Sequence, residues 1–275
     1  MNLINNIRKH LGIQILFDFN DIIDALTFGL DNKLKVLELN LNNVKFTEQL
    51  ANRNARREIA TFLKKHKIAL QFHAIEGLSF FIPGKDAQQF VVKSLTKTMQ
   101  HASEIGAKRI TFHLGTDMNF GMTAQKKRTY EVFPDYFYNL IYDALTAIKK
   151  NIPSNVFLCL ENVGGFRYPF MFEMTPTILG GRFCLTLDIG HINRFQGEER
   201  KREYNFFYNH RRYIKNVHVH DNNGEWDQHN IIGEGNIDFM SYFKFLQDSD
   251  CNYIFEVRPK ESAMECVRRF DKMFK

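Results

Sequence analysis

The sequence predicts a (β/α)8 barrel, and three observations lead there. Eight apolar runs of strand length recur along the 275 residues, they carry little polar alternation, and segments with helical period lie between them. Strands without the alternation of a half-exposed sheet are covered on both faces, as parallel strands are when helices return over them. The distance from Phe17 in the first run to Glu256 in the last, shared among seven intervals, is about 34 residues. That is the size of one strand plus one return helix, and eight such units close a barrel.

In order, the runs are GIQILFDF from Gly12, LKVLELNL from Leu34, IALQFHA from Ile68, RITFHLG from Arg109, NVFLCLEN from Asn155, FCLTLDIGH from Phe183, IKNVHVHD from Ile214 and NYIFEVRP from Asn252. Helical period runs through TEQLANRNARREIATFLKKH from Thr47, AQQFVVKSLTKTMQHASEIGA from Ala87 and YFYNLIYDALTAIKK from Tyr136. The first of these closes on a basic turn that suits the negative end of a helix dipole. The segment between the fifth and sixth runs, VGGFRYPFMFEMTPTILGGR, leaves room for only a short helix. The stretch from Thr116 to Tyr136 is long for one strand-to-helix loop and holds Met118, Phe120, Met122 and Phe133. A substrate-gripping lid and an excursion packed on the barrel rim fit it equally.

No Gly/Ser/Pro linker divides the chain. Length alone allows one domain or two, but barrels of this class spend about 250 residues on one, so residues 1–275 are expected to form a single domain. No stretch approaches the roughly 18 consecutive apolar residues of a membrane span, and the N-terminus carries Gln14 and Asp18 within its apolar part, so neither an anchor nor a signal peptide is expected. Cys159, Cys184, Cys251 and Cys266 have no CxxC spacing; read as buried free thiols, they point to the cytoplasm. The net charge of +6 is compatible with a phosphate-bearing or nucleic-acid partner, but it equals an ordinary excess of surface lysine. The densest basic clusters, Arg53 to Lys67 and Arg200 to Arg212, fall on expected outer helices, where a solvated face accounts for them. Apolar outer helices would point to a homo-oligomer.

The chemistry lies at the strand ends. Six of the eight runs finish in metal-ligand residue types: His73, His113, Glu161, Asp188 with His191, His218 and Glu256. In a barrel the C-terminal strand ends share one mouth, so these residues converge. The loop after the seventh run adds Asp227 and His229, which makes nine candidates. A lone histidine at a strand end is more often a satisfied polar residue than a ligand, but six concordant ends argue together for a metal. Imidazole and carboxylate without thiolate suit zinc, manganese, iron or cobalt. His220, two residues beyond His218, is expected to support the ligands from behind.

The motifs QFHA, FHLG, LEN followed by VGG, LDIGH, VHVHDNNG, WDQH then GEGNID, and FEVRP, in this order and spacing, resemble the xylose isomerase-like TIM barrels. That group includes sugar phosphate isomerases and epimerases and the apurinic/apyrimidinic endonuclease IV group. The resemblance covers nearly the whole chain and implies one of two sites. In the epimerase-like form Glu161, Asp188, His218 and Glu256 surround one ion, Glu161 and Glu256 are the acid/base pair, and His191 contacts substrate oxygens. The substrate is then a small sugar or sugar phosphate, with a proton moved beside a metal-polarised carbonyl.

In the endonuclease IV-like form all nine positions hold three ions, and the substrate is a phosphodiester at an abasic site in DNA. His73, His113 and Glu161 would hold the first, Glu161, Asp188, His218 and Glu256 the second, and His191, Asp227 and His229 the third. The departures favour the carbohydrate. GIQILFDF lacks the Gly-Ala-His-Val-Ser opening of the endonucleases, VGG replaces their Gly-Gln-rich loop, and HVHDNN replaces their His-Leu-Asn-Asp-Ser. No lysine stands beside Glu161 as in xylose isomerase itself. Candidate substrate contacts beyond His191 are Arg258, two residues past Glu256; Trp226, beside Asp227, for stacking on a sugar face; and Glu38, an acidic position resembling one frequent in isomerase-like barrels. Of the basic residues near the mouth loops, Arg167 and Arg194 are the candidates whose neutralisation would test DNA binding.

Overall fold

The computed structural model describes residues 3–273. Each apolar run supplies a strand: β1 (Leu11–Ile15), β2 (Val36–Asn40), β3 (Ala69–His73) and β4 (Arg109–Phe112) come first. A pair outside the barrel follows, β5 (Asn119–Met122) with β6 (Gln125–Arg128), and then β7 (Phe157–Glu161), β8 (Phe183–Asp188), β9 (Ile214–Val219) and β10 (Asn252–Phe255). Eight of them form a closed barrel in the order β1-β2-β3-β4-β7-β8-β9-β10, and every pairing in it is parallel. Val, Ile, Leu and Phe fill the shell between strands and helices, with Phe72, Phe112, Phe183 and Phe255 fully buried.

Beneath the mouth the barrel interior is polar. Gln14, Glu38, Gln71, Thr111, Thr186, Asn216 and Asn252 are all buried there, and they satisfy one another. Gln71 Nε2 donates to Glu38 Oε2 at 2.6 Å and to Asn216 Oδ1 at 2.9 Å. Asn252 Nδ2 donates to Gln71 Oε1 at 2.6 Å, and the hydroxyls of Thr111 and Thr186 meet at 2.8 Å. A buried polar network is tolerated only when its members are paired, and a paired one holds its geometry tightly. The mouth therefore stands on a rigid floor.

The outer helices follow local chemistry, and four segments add detail to the sequence reading. The segment from Thr47 is two helices, Val44–Ala51 and Arg53–His66, because the Asn52 side chain accepts from the backbone N–H groups of Asn54 and Ala55 and starts a second helix. The segment after β7 holds a 3₁₀ turn, Gly164–Arg167, and a ten-residue helix, Pro169–Ile178, entered on a proline at its first position. The first strand ends at Ile15, and Phe17 stands 75% exposed in the loop beyond it. The stretch from Thr116 to Tyr136 is a hairpin excursion with a tethered base. Asp117 accepts from the N–H groups of Met118 and Tyr130, and Tyr130 stacks on Tyr168 at 3.8 Å. Met118, Phe120 and Met122 face solvent.

The four cysteines are buried and free. Among the described residues no helix is long and apolar enough to cross a membrane. The basic runs lie mostly on the helices Arg53–His66 and Gly197–Asn209, with Lys67 capping the first and Arg211 and Arg212 on the 3₁₀ turn Arg211–Tyr213.

Candidate metal centre

Every one of the nine sequence candidates lies at the mouth. His73, Glu161 and Asp188 are the last residues of β3, β7 and β8, while His113 and Glu256 stand one residue beyond β4 and β10. His191 follows on the helix Ile189–Asn193, which Asp188 caps by accepting from the His191 N–H at 2.7 Å. His218 lies in β9, and Asp227 and His229 are on the loop that leaves it.

Three groups of side chains each bring ligand atoms within 4.8 Å of one another: Glu161, Asp188, His218 and Glu256; His73, Glu161 and His218; and His191, His220, Asp227 and His229. In the first, His218 Nδ1 lies 2.9 Å from Glu256 Oε2, 3.3 Å from Glu161 Oε1 and 3.9 Å from Asp188 Oδ2. Glu161 Oε2 turns the other way, 2.8 Å from His113 Nε2 and 3.4 Å from His73 Nε2. In the third, Asp227 Oδ2 lies 2.9 Å from His191 Nε2 and 3.4 Å from His229 Nε2.

The surroundings fix which nitrogen of each ring faces inward. His73 Nδ1 donates to the Ala74 carbonyl at 3.0 Å, and His229 Nδ1 to the Glu256 carbonyl at 2.7 Å. His218 Nε2 donates to Glu38 Oε1 at 2.9 Å. In each ring the opposite nitrogen is left for the centre, the arrangement by which outer partners set the tautomer of a ligating histidine.

The motifs around the ligands have structural work of their own. Asn162 accepts from the Asp188 N–H at 2.7 Å and donates to the Asp188 carbonyl at 2.9 Å, clasping that ligand's backbone. Asp221 accepts from the N–H groups of Asn222, Gly233 and Ile237 and folds the loop after β9 back on itself. His229 takes a left-handed backbone with φ 48°, a conformation a non-glycine residue keeps only where its surroundings hold it.

Electrostatically the centre is a lattice of opposed charges. Burial alone would raise the Glu161 carboxyl, but His218 and His113 outweigh it and hold it well below the usual range. Glu256 is likewise held well below by His218 and Arg258 against burial, and Asp188 is lowered by His191 and His220. Burial would lower the imidazoles, yet the carboxylates raise His73, His191 and His229 to about 9 and hold His218 well above its ordinary value. Among the described residues eight buried side-chain polar atoms lack a hydrogen-bond partner, and five are here: Asp188 Oδ2, His191 Nδ1, Asp227 Oδ1 and both nitrogens of His220. Unpaired buried polar atoms are costly, so their concentration on imidazoles and carboxylates fits a divalent cation.

The remaining sequence candidates are placed differently from one another. Glu38 is wholly buried below the centre, where it also accepts from Gln14, Gln71 and Asn216; it faces His218 and not the open mouth, so the expectation of a substrate contact gives way to one of support. Arg258 Nη2 donates to Glu256 Oε1 at 2.8 Å, and the guanidinium also holds Gln14 Oε1. Arg167 is tied to Glu203 at 3.0 Å. Trp226 stands 59% exposed on the rim. His220 belongs to a candidate group itself, which the sequence reading missed.

Residues 34–271 match the model of the family described as xylose isomerase-like TIM barrel. The uncharacterized protein MJ1614 of Methanocaldococcus jannaschii is 35% identical over 86 residues, 29% of this chain and 30% of that one. The chain spans about a third of the length of the curated relatives it matches. Solved structures with the same fold include a D-tagatose 3-epimerase-like protein, with TM-score 0.76 and 18% identity over 96% of this chain and 97% of that one. Endonuclease IV from Thermus thermophilus superposes with TM-score 0.66 and 15% identity over 96% of this chain and 98% of that one. The IOLI protein with a bound zinc atom does so with TM-score 0.62 and 14% identity over 95% of each chain. At these identities the likeness is one of fold.

Proposed function

The chain belongs to the xylose isomerase-like TIM barrel family, and from that premise we propose that it is a divalent-cation-dependent isomerase or epimerase of a small carbohydrate or its phosphate. The observation that carries the reading is the pair of buried carboxylates, Glu161 and Glu256, on the same nitrogen of His218 at 3.3 and 2.9 Å. A bound cation would supply polarisation of a carbonyl and its neighbouring hydroxyl, which lowers the cost of an enediolate. One of Glu161 and Glu256 would take the proton from the substrate carbon and become the carboxylic acid, and a proton would return to the enediolate from that acid, or from the other carboxyl once it has drawn one from solvent. Both carboxyls are held ionised by their neighbours, the state a base requires. Arg258 fixes Glu256 by its outer oxygen, and Trp226 offers an apolar face at the rim.

Room beside the centre also favours a small substrate. A cavity of about 320 Å³ lies against His113 between the loops after β3, β4 and β7, lined by Glu76, Leu78, Ser79, Thr116 and Val163 among others. Positive charge gathers at the opposite end of the barrel, where Lys9, Lys35, Lys67, Lys108 and Arg182 surround the N-terminal ends of the strands. A duplex gripped at the mouth would draw on charge there, and two mouth arginines, Arg167 and Arg258, are already paired with Glu203 and Glu256.

The test is hydrogen exchange. Protein purified without added metal or chelator is assayed for ion content, loaded with manganese or cobalt, and incubated with ketoses and ketose phosphates in deuterated water. Deuterium at the carbon beside the carbonyl, lost in Glu161→Gln and in Glu256→Gln, is expected; exchange that persists in either variant removes that carboxylate from the role. One observation favours a second reading as an endonuclease IV-like phosphodiesterase: the candidate groups are three and two of them share Glu161 and His218. Cleavage of abasic-site DNA, with a salt slope that Arg194→Ala reduces, would put that reading first.

A further inference from the structure

The end of the barrel opposite the mouth carries a charge arrangement that the proposed reaction does not use. A cavity of about 970 Å³ opens there among the entrances of β2, β3, β4, β7, β8 and β10, lined by seven Lys or Arg side chains and one carboxylate, Asp250. That excess of six positive charges equals the net charge of the whole chain, so the remaining surface is balanced and the imbalance is local. A concavity walled by one sign of charge focuses its field on an ion of the other.

An ordinary cause accounts for part of the charge. Lys64 and Lys67 close the helix Arg53–His66, where cations answer the negative end of the dipole. Lys35, Lys108, Arg109 and Arg182 have no such reason: they stand at the first position of β4 or immediately before β2, β4 and β8, places that a barrel gathers into one ring. Arg109 is the most telling of them. Its side chain is 11% exposed, its Nη2 reaches Asp250 at 3.4 Å, and its Nε is buried with no hydrogen-bond partner, a costly state for a charged group. The Arg182 guanidinium sits over the Phe157 ring at 4.4 Å, which fixes it while leaving its N–H groups for another acceptor. Asp250 is shared between Arg109 and Lys215. Among the described residues it is the one carboxylate lining the cavity, and Lys35, Lys64, Lys67, Lys108 and Arg182 make no ion pair.

We propose that this end of the barrel is a binding site for a linear triphosphate chain, free or as the tail of a nucleoside triphosphate. Arg109 and Arg182 are its guanidinium anchors, and Lys35 and Lys108 neutralise the remaining charge. Guanidinium forks match phosphate oxygens two at a time, and an excess of six positive charges calls for more than one phosphate. A compact ligand is favoured over a nucleic acid because these cations ring a concavity and converge, whereas the charges of a duplex repeat along its length and call for a row. The inference rests on none of the chemistry proposed for the mouth.

Calorimetric titration of the full chain with sodium triphosphate, ATP and orthophosphate, without added divalent metal, is the test. One triphosphate is expected to bind per chain, about tenfold or more tighter than orthophosphate. Lys108→Gln combined with Arg182→Gln, both exposed side chains, is expected to weaken triphosphate binding about tenfold or more, as befits hydrogen bonds to charged groups. Lys45→Gln combined with Lys201→Gln removes equal charge from helices elsewhere and is expected to leave it unchanged. Equal losses in the two double variants, or no binding by the wild type, overturn the proposal. Lys35→Gln, another exposed lining residue, takes the place of the first double variant if that protein does not fold, with weakened binding again expected and unchanged binding overturning the site. Because a triphosphate also chelates cations, Glu161→Gln is the control for the mouth: retained affinity is expected, and lost affinity moves the anion to the mouth and overturns the proposal. Equal affinity for triphosphate and ATP assigns the site to the phosphate chain alone, and ATP bound about tenfold tighter assigns it to a nucleotide. Single-stranded DNA of matched charge that binds tighter than both overturns the compact ligand. Failure of the isomerase reading shows instead as absent hydrogen exchange, with every one of these affinities unchanged.

Discussion

The two ends of the candidate metal centre are built on opposite plans. The group around His218 sets three carboxylates on one imidazole, lies wholly within the strand ends, and is supported from outside. Glu38 holds His218, Asn162 holds the backbone of Asp188, and Arg258 holds Glu256. The group around Asp227 sets three imidazoles on one carboxylate, half of it on a loop, with the side chains of Asp227 and His229 26% and 25% exposed. Its unpaired atoms include both nitrogens of His220. Where oxygens dominate and the floor is rigid, a range of divalent ions can be held and a substrate oxygen accommodated; where nitrogens dominate, zinc-like ions are selected.

The comparison is broken most severely by Glu161→Gln, because Glu161 is shared by two of the three groups. Turnover is expected to fall by about 10²–10⁴, the usual worth of a positioned acid or base, with the ion around His218 lost and the ion around Asp227 retained. Loss of both ions together would show that the two groups are one cooperative centre. Glu38→Gln tests the floor more gently. It preserves volume but replaces the carboxylate that receives the His218 N–H, and affinity at that group is expected to drop about 10–100-fold with no change around Asp227. Competition with a chromogenic chelator measures both; equal losses at the two groups would mean that Glu38 acts through the whole barrel floor.

Much of this was legible beforehand, for identifiable reasons. Buried parallel strands announce themselves as unbroken apolar runs, so all eight were found, and the barrel rule then brought His73, His113, Glu161, Asp188, His218 and Glu256 to one mouth. His220 was not, because its evidence is spatial. Sharing a strand face with His218 is compatible with support or ligation, and only the missing Cβ of Gly190, thirty residues away in sequence, shows that space was cleared for the ring. Glu38 reads as a strand-end acid in sequence, but the depth at which its strand meets Gln71 and Asn216 places it under the centre. The hairpin Asn119–Arg128 turns at Ala124 with φ 62°, where sequence offers no glycine or asparagine to mark it.

The smallest expected effect lies in proton linkage, and it discriminates between the two groups. Without a cation, Asp188 and Asp227 raise the His191 imidazole, and Asp227 and Glu256 the His229 imidazole, to about 9, above the unfolded value of about 6.5. Their contribution to stability is therefore complete below about pH 6.5 and is lost as pH rises toward 9. The lowered carboxyls of Glu161, Glu256 and Asp188 act at the other end, contributing above their unfolded values and losing that contribution as pH falls. A cation demands the deprotonated ring, so binding around Asp227 expels a proton from each of His191 and His229, while binding around His218 expels one from His218 alone. Between pH 6.5 and 9 the logarithm of affinity should rise with a slope of about two for the first ion and about one for the second. On lowering the pH the ion around Asp227 should leave first, as read by calorimetric titration with zinc at several pH values; equal slopes, or earlier loss of the ion around His218, would contradict the division of imidazole and carboxylate on which the contrast stands.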